Sequence, residues 1–294
     1  MYTTFRRDAV PVEYINTVVC EDGYRLRYRL WLAPGSTVGT MVLVNGMMSH
    51  SGWFRELAHL LTGLQLHVVG ADRRGSGVNE CDRGDAVSRQ ILISDLRRII
   101  EREDRGSPIY ILGWCWGALL AVNLALELGQ KLSGLLLLAP GLYPSQQVRR
   151  AALEQRILSR DADEHSAVLR APLSKEMFSK SANVRDFIQN DCLAQRMFTP
   201  RFFRIAGEMS LIATARLPQL TQPLLLLLAA NDEAVDNEQT LKAVQRLRRT
   251  TVTSATLVCH HGMQFEAPQE IVSQISRWLQ HDYGFAVRPV WSLP

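Results

Sequence analysis

Pro108-Ile109-Tyr110-Ile111-Leu112-Gly113-Trp114-Cys115-Trp116-Gly117-Ala118-Leu119-Leu120-Ala121-Val122 joins a short apolar run, a Gly-x-Cys-x-Gly turn and a second apolar run. The first run reads as a buried strand and the second as a helix. Small residues at Gly113 and Gly117 allow a sharp reversal that projects Cys115 above a sheet, in a strained conformation near the positive end of the helix. Thiols at helix amino termini ionise readily, which makes Cys115 a candidate nucleophile. For the cysteine alone, the competing reading is a buried structural thiol between two core tryptophans.

Working outward, residues 41–44, 66–70, 109–112, 135–138, 224–228 and 255–258 are aliphatic strand candidates, and 53–61, 87–102, 116–128, 239–247 and 268–280 are helical candidates. Strands apolar on both faces and separated by helices imply a mostly parallel sheet covered on both sides. Residues 14–20 and 24–32 alternate around Glu21-Asp22-Gly23, which predicts an antiparallel hairpin at the sheet edge. From 145 to 217 no strand candidate occurs, and the pattern there predicts a helical cap, with the core formed by 1–144 and 218–294. Pro218 and Pro223 mark the return to the core. The segment 283–294 is a tail rich in proline and aromatics.

A length of 294 residues with 47% hydrophobic content suits one large core with one excursion. Met1-Tyr2-Thr3-Thr4-Phe5-Arg6-Arg7-Asp8 lacks the apolar stretch of a secretory signal, and the run 224–230 is too short to span a bilayer. A cytoplasmic protein without a membrane span is expected. Cys20, Cys81, Cys115, Cys192 and Cys259 show neither paired nor metal-like spacing, so neither a disulfide framework nor a metal or cofactor site is indicated. The net charge of +4 rests almost wholly on arginine, the lysines being Lys131, Lys175, Lys180 and Lys242. Such a surface suits an acidic partner, although codon usage is the simpler explanation. No basic run is interleaved with aromatics, which argues against nucleic acid.

A cysteine nucleophile needs a base, and the base an orienting acid. Cys115, Asp232 and His261 follow one another in the order nucleophile, acid, histidine, each just beyond a candidate strand. Open parallel sheets gather ligands at the carboxyl ends of their strands, so the three can converge. Glu233 and Asp236 compete with Asp232, Asp236 being better placed to start the next helix. His260 competes with His261. Two main-chain donors for an oxyanion are expected: the amide of Trp116, next to the nucleophile, and that of Met47, after the turn Asn45-Gly46.

Several stretches together resemble the α/β-hydrolases of the monoacylglycerol lipase and serine aminopeptidase type. Asn45-Gly46-Met47-Met48-Ser49-His50-Ser51-Gly52-Trp53-Phe54 is similar to that group's His-Gly loop and the His-Ser-Gly-aromatic stretch after it. Asp72-Arg73-Arg74-Gly75-Ser76-Gly77 resembles its Asp-x-Arg-Gly-x-Gly segment. The acid loop Asp232-Glu233-Ala234-Val235-Asp236 resembles Asp-x-x-Val-Asp, whose first aspartate is the triad acid, and His261 with Glu266 resembles the His-x-x-x-x-Glu ending. Asn190-Asp191-Cys192-Leu193 is similar to a cap segment. The resemblance spans about residues 25–280. It implies an α/β-hydrolase fold with an inserted helical cap and a Cys115-His261-Asp232 triad. Two departures stand out: Asn45 where histidine is usual, and Cys115 where serine is usual.

A thiol on this fold also resembles dienelactone hydrolases, polyhydroxyalkanoate synthases and the aminoacyltransferases that move residues between carrier proteins. Polyhydroxyalkanoate synthases are generally longer chains. Acyl exchange between thioesters is nearly isoenergetic, and a capped, water-poor site favours it over hydrolysis. The leading expectation is therefore an enzyme passing an acyl or aminoacyl group to or from a carrier-protein phosphopantetheine through an acyl-Cys115 thioester, with no cofactor. The alternative is a hydrolase of esters, thioesters or lactones. A noncatalytic binding protein with a vestigial elbow is the third reading, disfavoured by the apparently complete triad.

Overall fold

The computed structural model describes residues 13–158 and 162–284. Its elements run β1 (Glu13–Val19), β2 (Arg25–Trp31), β3 (Gly39–Val44), α1 (Arg55–Thr62), β4 (Leu66–Ala71), α2 (Arg89–Glu103), β5 (Ile109–Trp114), α3 (Gly117–Leu128) and β6 (Gly134–Leu138). They continue with α4 (Gln146–Leu158), β7 (Leu169–Arg170), α5 (Lys175–Phe178), α6 (Ala182–Asn190), β8 (Met197–Phe198) and α7 (Pro200–Arg216). The chain closes with β9 (Leu224–Ala229), α8 (Asn237–Val244), β10 (Val252–Leu257), α9 (Met263–Glu266) and α10 (Pro268–Tyr283).

Eight strands form one sheet in the order β1-β2-β4-β3-β5-β6-β9-β10. β1 and β2 pair antiparallel as the hairpin pattern predicts, β2 meets β4 antiparallel, and the remaining pairs are parallel. β3, β6 and β9 are buried along their whole length, because helices cover both faces. The register aligns Val44 with Gly113, Trp114 with Leu138, Leu138 with Leu227 and Ala229 with Leu257. The loops after β3, β5, β9 and β10 thus leave the sheet along one edge. This is the α/β-hydrolase fold.

α3 is apolar on nearly every side and is buried from Gly117 to Ala125, as befits a helix enclosed by the sheet and other helices. Its one buried amide, Asn123, is satisfied by donating to Leu119 O (2.8 Å) and to Met209 O of α7 (3.1 Å).

Three elements differ from the sequence reading. β10 begins at Val252, three residues before the predicted start, because an edge strand with exposed Val252, Thr253, Ser254 and Thr256 carries no two-sided apolar signal. α1 begins at Arg55 after a 3-10 turn over Ser51–Phe54. The span between β6 and β9 holds α4 to α7 but also the two-residue strands β7 and β8, paired antiparallel through Leu169 and Phe198, too short to leave a period in sequence.

The cysteines are all free thiols. The leader reading at residues 1–8 lies outside the described residues, as does nearly all of the 283–294 tail. Among the described residues no helix is long and apolar enough to cross a membrane.

Candidate active site

The elbow between β5 and α3 holds Cys115 at φ 57°, in the left-handed region that a residue with a Cβ rarely adopts. Strain of this kind costs roughly 1–3 kcal/mol and persists where the surroundings over-determine it. Here the Cys115 amide donates to Leu138 O (3.2 Å), while its carbonyl accepts from Ala118 N (3.1 Å) and Gly141 N (2.8 Å). The flanking glycines serve a different purpose from the conformational one expected. Neither has positive φ. A Cβ on Gly117 would lie 2.3 Å from Val44 O and 2.4 Å from Asn45 O, and one on Gly113 would lie 2.7 Å from both Ala118 Cα and Ala121 Cβ. They let α3 and β3 approach the turn, and the strain falls on the cysteine.

His261 follows β10 and Asp232 follows β9, and both side chains are fully buried. His261 Nδ1 lies 2.9 Å from Asp232 Oδ2 and 3.1 Å from Oδ1. Asp232 Oδ1 also accepts from the amides of Ala234 (2.9 Å) and Val235 (3.1 Å), which fixes the carboxylate plane. The competitors are occupied elsewhere. Asp236 caps α8 by accepting from Gln239 N (2.9 Å), and Glu233 pairs with Lys180 at the surface. His260 pairs through Nδ1 with Glu266 (2.9 Å), which also accepts from the His260 amide (2.7 Å) and the Ser179 hydroxyl (2.5 Å). Glu266 of the His-x-x-x-x-Glu ending therefore braces the loop through His260 and not through His261.

Burial disfavours a charged His261, but the Asp232 charge, the adjoining Cys115 side chain and the hydrogen bond to Asp232 outweigh it and raise the imidazole to about 10. His261 is thus biased toward imidazolium, the partner a thiolate requires. Its Nε2 is buried and makes no hydrogen bond of ordinary geometry, so it is free to meet the thiol or a leaving group.

Met47 and Trp116, the expected oxyanion residues, lie on the loops after β3 and β5. Neither amide is taken by a protein acceptor among the described residues. A Cβ on Gly46 would meet Cys115 Cβ at 3.1 Å, so the β3 loop passes directly over the nucleophile. Asn45, standing where the resemblance leads to histidine, is buried and donates through Nδ2 to Ser49 O (2.5 Å), bracing the same loop.

Three contributors lie beyond the predicted triad and oxyanion residues, and of these only Trp114 could be weighed from sequence as a wall of the site. Trp114 Nε1 donates to His261 O (3.0 Å), and its ring stands 5.3 Å from the imidazole. Phe178 of α5 stands edge-on to His261 at 5.5 Å, while the carbonyls of Met177 and Phe178 accept from the amides of His261 (3.3 Å) and Gly262 (2.9 Å). Arg73, assigned only to a motif, is buried against the oxyanion loop. A bulky donor beside the nucleophile was visible in Gly-Trp-Cys-Trp-Gly; a phenylalanine from the inserted span had no local signal. A groove of about 1170 Å³ between α4 and α7, lined by Leu153, Leu169, Phe203 and Leu211, contains no triad residue. Among the described residues no three His, Cys, Asp or Glu side chains are grouped to hold a metal ion.

Comparison with known proteins agrees with this architecture. The family model described as serine aminopeptidase, S33 matches residues 35–267. Monoglyceride lipase of Mus musculus is 24% identical over 285 residues, covering 92% of this chain and 92% of that protein. The Homo sapiens monoglyceride lipase is 23% identical over 282 residues with the same coverage. Among solved structures, a soluble variant of monoglyceride lipase from Saccharomyces cerevisiae, in complex with a substrate analog, superposes with a TM-score of 0.79 at 14% identity, covering 96% of this chain and 98% of that one. Matched by the family model over most of its length and built on the same fold, the chain belongs to the serine aminopeptidase S33 family of α/β-hydrolases.

Proposed function

We propose that this protein hydrolyses carboxylic esters or thioesters through an acyl-Cys115 intermediate. Cys115 Sγ attacks the acyl carbon, and the carbonyl oxygen becomes an oxyanion held by the amides of Met47 and Trp116. Collapse expels the alcohol or thiol, which takes its proton from His261 Nε2. Water then attacks the acyl thioester with His261 as base, and the free acid leaves as the thiolate re-forms. Asp232 keeps the imidazole oriented throughout.

The observation that carries this reading is a thiol at a positive-φ elbow beside a fully buried His261–Asp232 pair. Full-length relatives named as monoglyceride lipases favour the ester hydrolase over the carrier-protein transferase expected first from the thiol; no relative or solved structure described above is named for a carrier protein. Residues 145–217 act as a cap in this scheme. In support, Asp191 accepts from Trp53 Nε1 (2.5 Å) and bonds His50 Nε2 (2.8 Å), Gln195 N donates to Met48 O (2.8 Å), and Phe202 packs on Trp116 at 5.2 Å.

The test offers monoacylglycerols, p-nitrophenyl esters and acyl thioesters, with and without an added thiol acceptor, and separates free acid from transferred acyl group. Free acid formed from esters far faster than with Cys115→Ala supports the proposal. Acyl transfer to the thiol in excess of free acid from every donor would reinstate the transferase, and no turnover above the variant would remove both.

A further inference from the structure

Arg73 is 5% exposed, yet among the described residues no carboxylate holds its guanidinium. Nη1 donates to Gly46 O (3.1 Å) and Nη2 to Met47 O (2.6 Å). The guanidinium carbon lies 5.2 Å from the centre of the Trp116 ring and 5.3 Å from that of Phe202 on α7, two rings that pack on each other at 5.2 Å. Burial lowers its pKa to about 10, with the nearby Asp72 charge opposing, so it stays cationic at neutral pH. A buried cation spending its hydrogen bonds on two consecutive carbonyls needs a reason beyond packing, since an apolar side chain would fill the space without a desolvation cost.

The reason lies in peptide geometry. No peptide bond among the described residues is cis, so each N–H points opposite to the carbonyl of the preceding residue. Clasping Gly46 O therefore aims the Met47 N–H away from Arg73, and clasping Met47 O fixes the following plane as well. The fork holds the two carbonyls on separate nitrogens at a fixed spacing and in one plane, an arrangement that the single nitrogen of a lysine does not reproduce even where it reaches both oxygens. The loop so fixed is the one that passes over Cys115, and the ring on which Arg73 stacks belongs to the residue supplying the other expected oxyanion amide.

We infer that Arg73 is a positioning residue for the oxyanion hole: its guanidinium locks the Gly46–Met47 and Met47–Met48 peptides so that the Met47 amide faces the acyl oxygen. The inference rests on the Cys115 nucleophile proposed above.

Two reactions of the same thiol separate the roles. With p-nitrophenyl butyrate, Sγ bonds to the acyl carbon, an oxyanion forms, and its collapse expels p-nitrophenolate. With iodoacetamide, Sγ bonds to a saturated carbon and displaces iodide, and no oxyanion arises. Arg73→Gln and Arg73→Lys are compared with the parent protein by acylation rate and by alkylation of Cys115 mapped by peptide mass. Acylation should fall about 10- to 100-fold in both variants, mainly in kcat and not in KM, short of the roughly 10²–10³ for outright loss of an oxyanion donor because the Met47 amide is displaced and not removed. Alkylation should stay within about twofold of the parent, which a general loosening of the site would not allow. Should Arg73→Gln not fold, Arg73→Lys carries the comparison. Acylation at the parental rate in either variant, or acylation and alkylation falling together, overturns the inference. A parent protein that never gains acyl mass on Cys115 removes the nucleophile itself, a failure distinguishable from both.

Discussion

Replacing Asp232 by asparagine is a sharp perturbation because the surrounding bonds dictate how the new amide must sit. Asp232 Oδ1 accepts from the amides of Ala234 and Val235 at 2.9 and 3.1 Å, so the asparagine oxygen must occupy that position. Its Nδ2 then takes the place of Oδ2, 2.9 Å from His261 Nδ1. Two donors cannot share that contact, and the asparagine oxygen, 3.1 Å from Nδ1, already accepts from two amides, so neutral His261 is driven to present a lone pair at Nδ1 and carry its proton on Nε2. Nε2 is the atom that has to receive the thiol proton. The substitution also removes the charge that helps raise the imidazole to about 10. The wrong tautomer and the lost charge together should lower acylation by roughly 10²–10⁴, about 3–5 kcal/mol in activation free energy. Stopped-flow release of p-nitrophenolate measures the acylation step, and circular dichroism checks that the fold survives. Activity within about threefold of the parent for Asp232→Asn, with a large loss for Asp236→Asn or Glu233→Gln, would refute the reasoning and move the acid along its loop.

Other consequences follow from the same geometry. Gly117→Ala sets a methyl 2.3 Å from a main-chain carbonyl that cannot yield, so it should cost about 2–3 kcal/mol and lower Tm by roughly 3–5 °C; an unchanged melting curve would show that α3 can shift. His260→Ala removes a partner of Glu266 and not of Asp232, so turnover should change by less than about threefold, whereas His261→Ala should reduce it to background; the reverse ranking exchanges the two histidines. Because the folded His261 pKa lies above its ordinary 6.5, its contribution to stability is fully present below that pH and is lost as pH rises toward about 10. The urea midpoint of the parent should fall across that window more than that of Asp232→Asn, and parallel profiles would contradict the pairing.

The sheet and the order of the three site residues were legible because each lies just past an aliphatic run, and a parallel sheet delivers such positions to one edge. The role of Asp236 was legible for a related reason: it stands where the next helix needs a cap, and it accepts from Gln239 N there. Other features have no local period to read. Arg73 stands only at the variable position of the Asp-x-Arg-Gly-x-Gly segment, and nothing in its neighbours tells that two carbonyls 26 and 27 positions away will need a fork. Phe178 and Phe202 reach the site from the span between β6 and β9, so their role depends on how that span folds back. The glycines of the elbow were read for conformation, but their contacts show that space was the constraint and that Cys115 carries the positive φ.

The central claim is that Cys115 becomes acylated, and intact-protein mass spectrometry after brief incubation with a p-nitrophenyl ester or an acyl thioester addresses it directly. A single adduct of the acyl mass is expected, mapped to the peptide containing Cys115, decaying as free acid forms and absent in Cys115→Ala. An adduct on Cys20, Cys81, Cys192 or Cys259, or full turnover by the alanine variant, would contradict it.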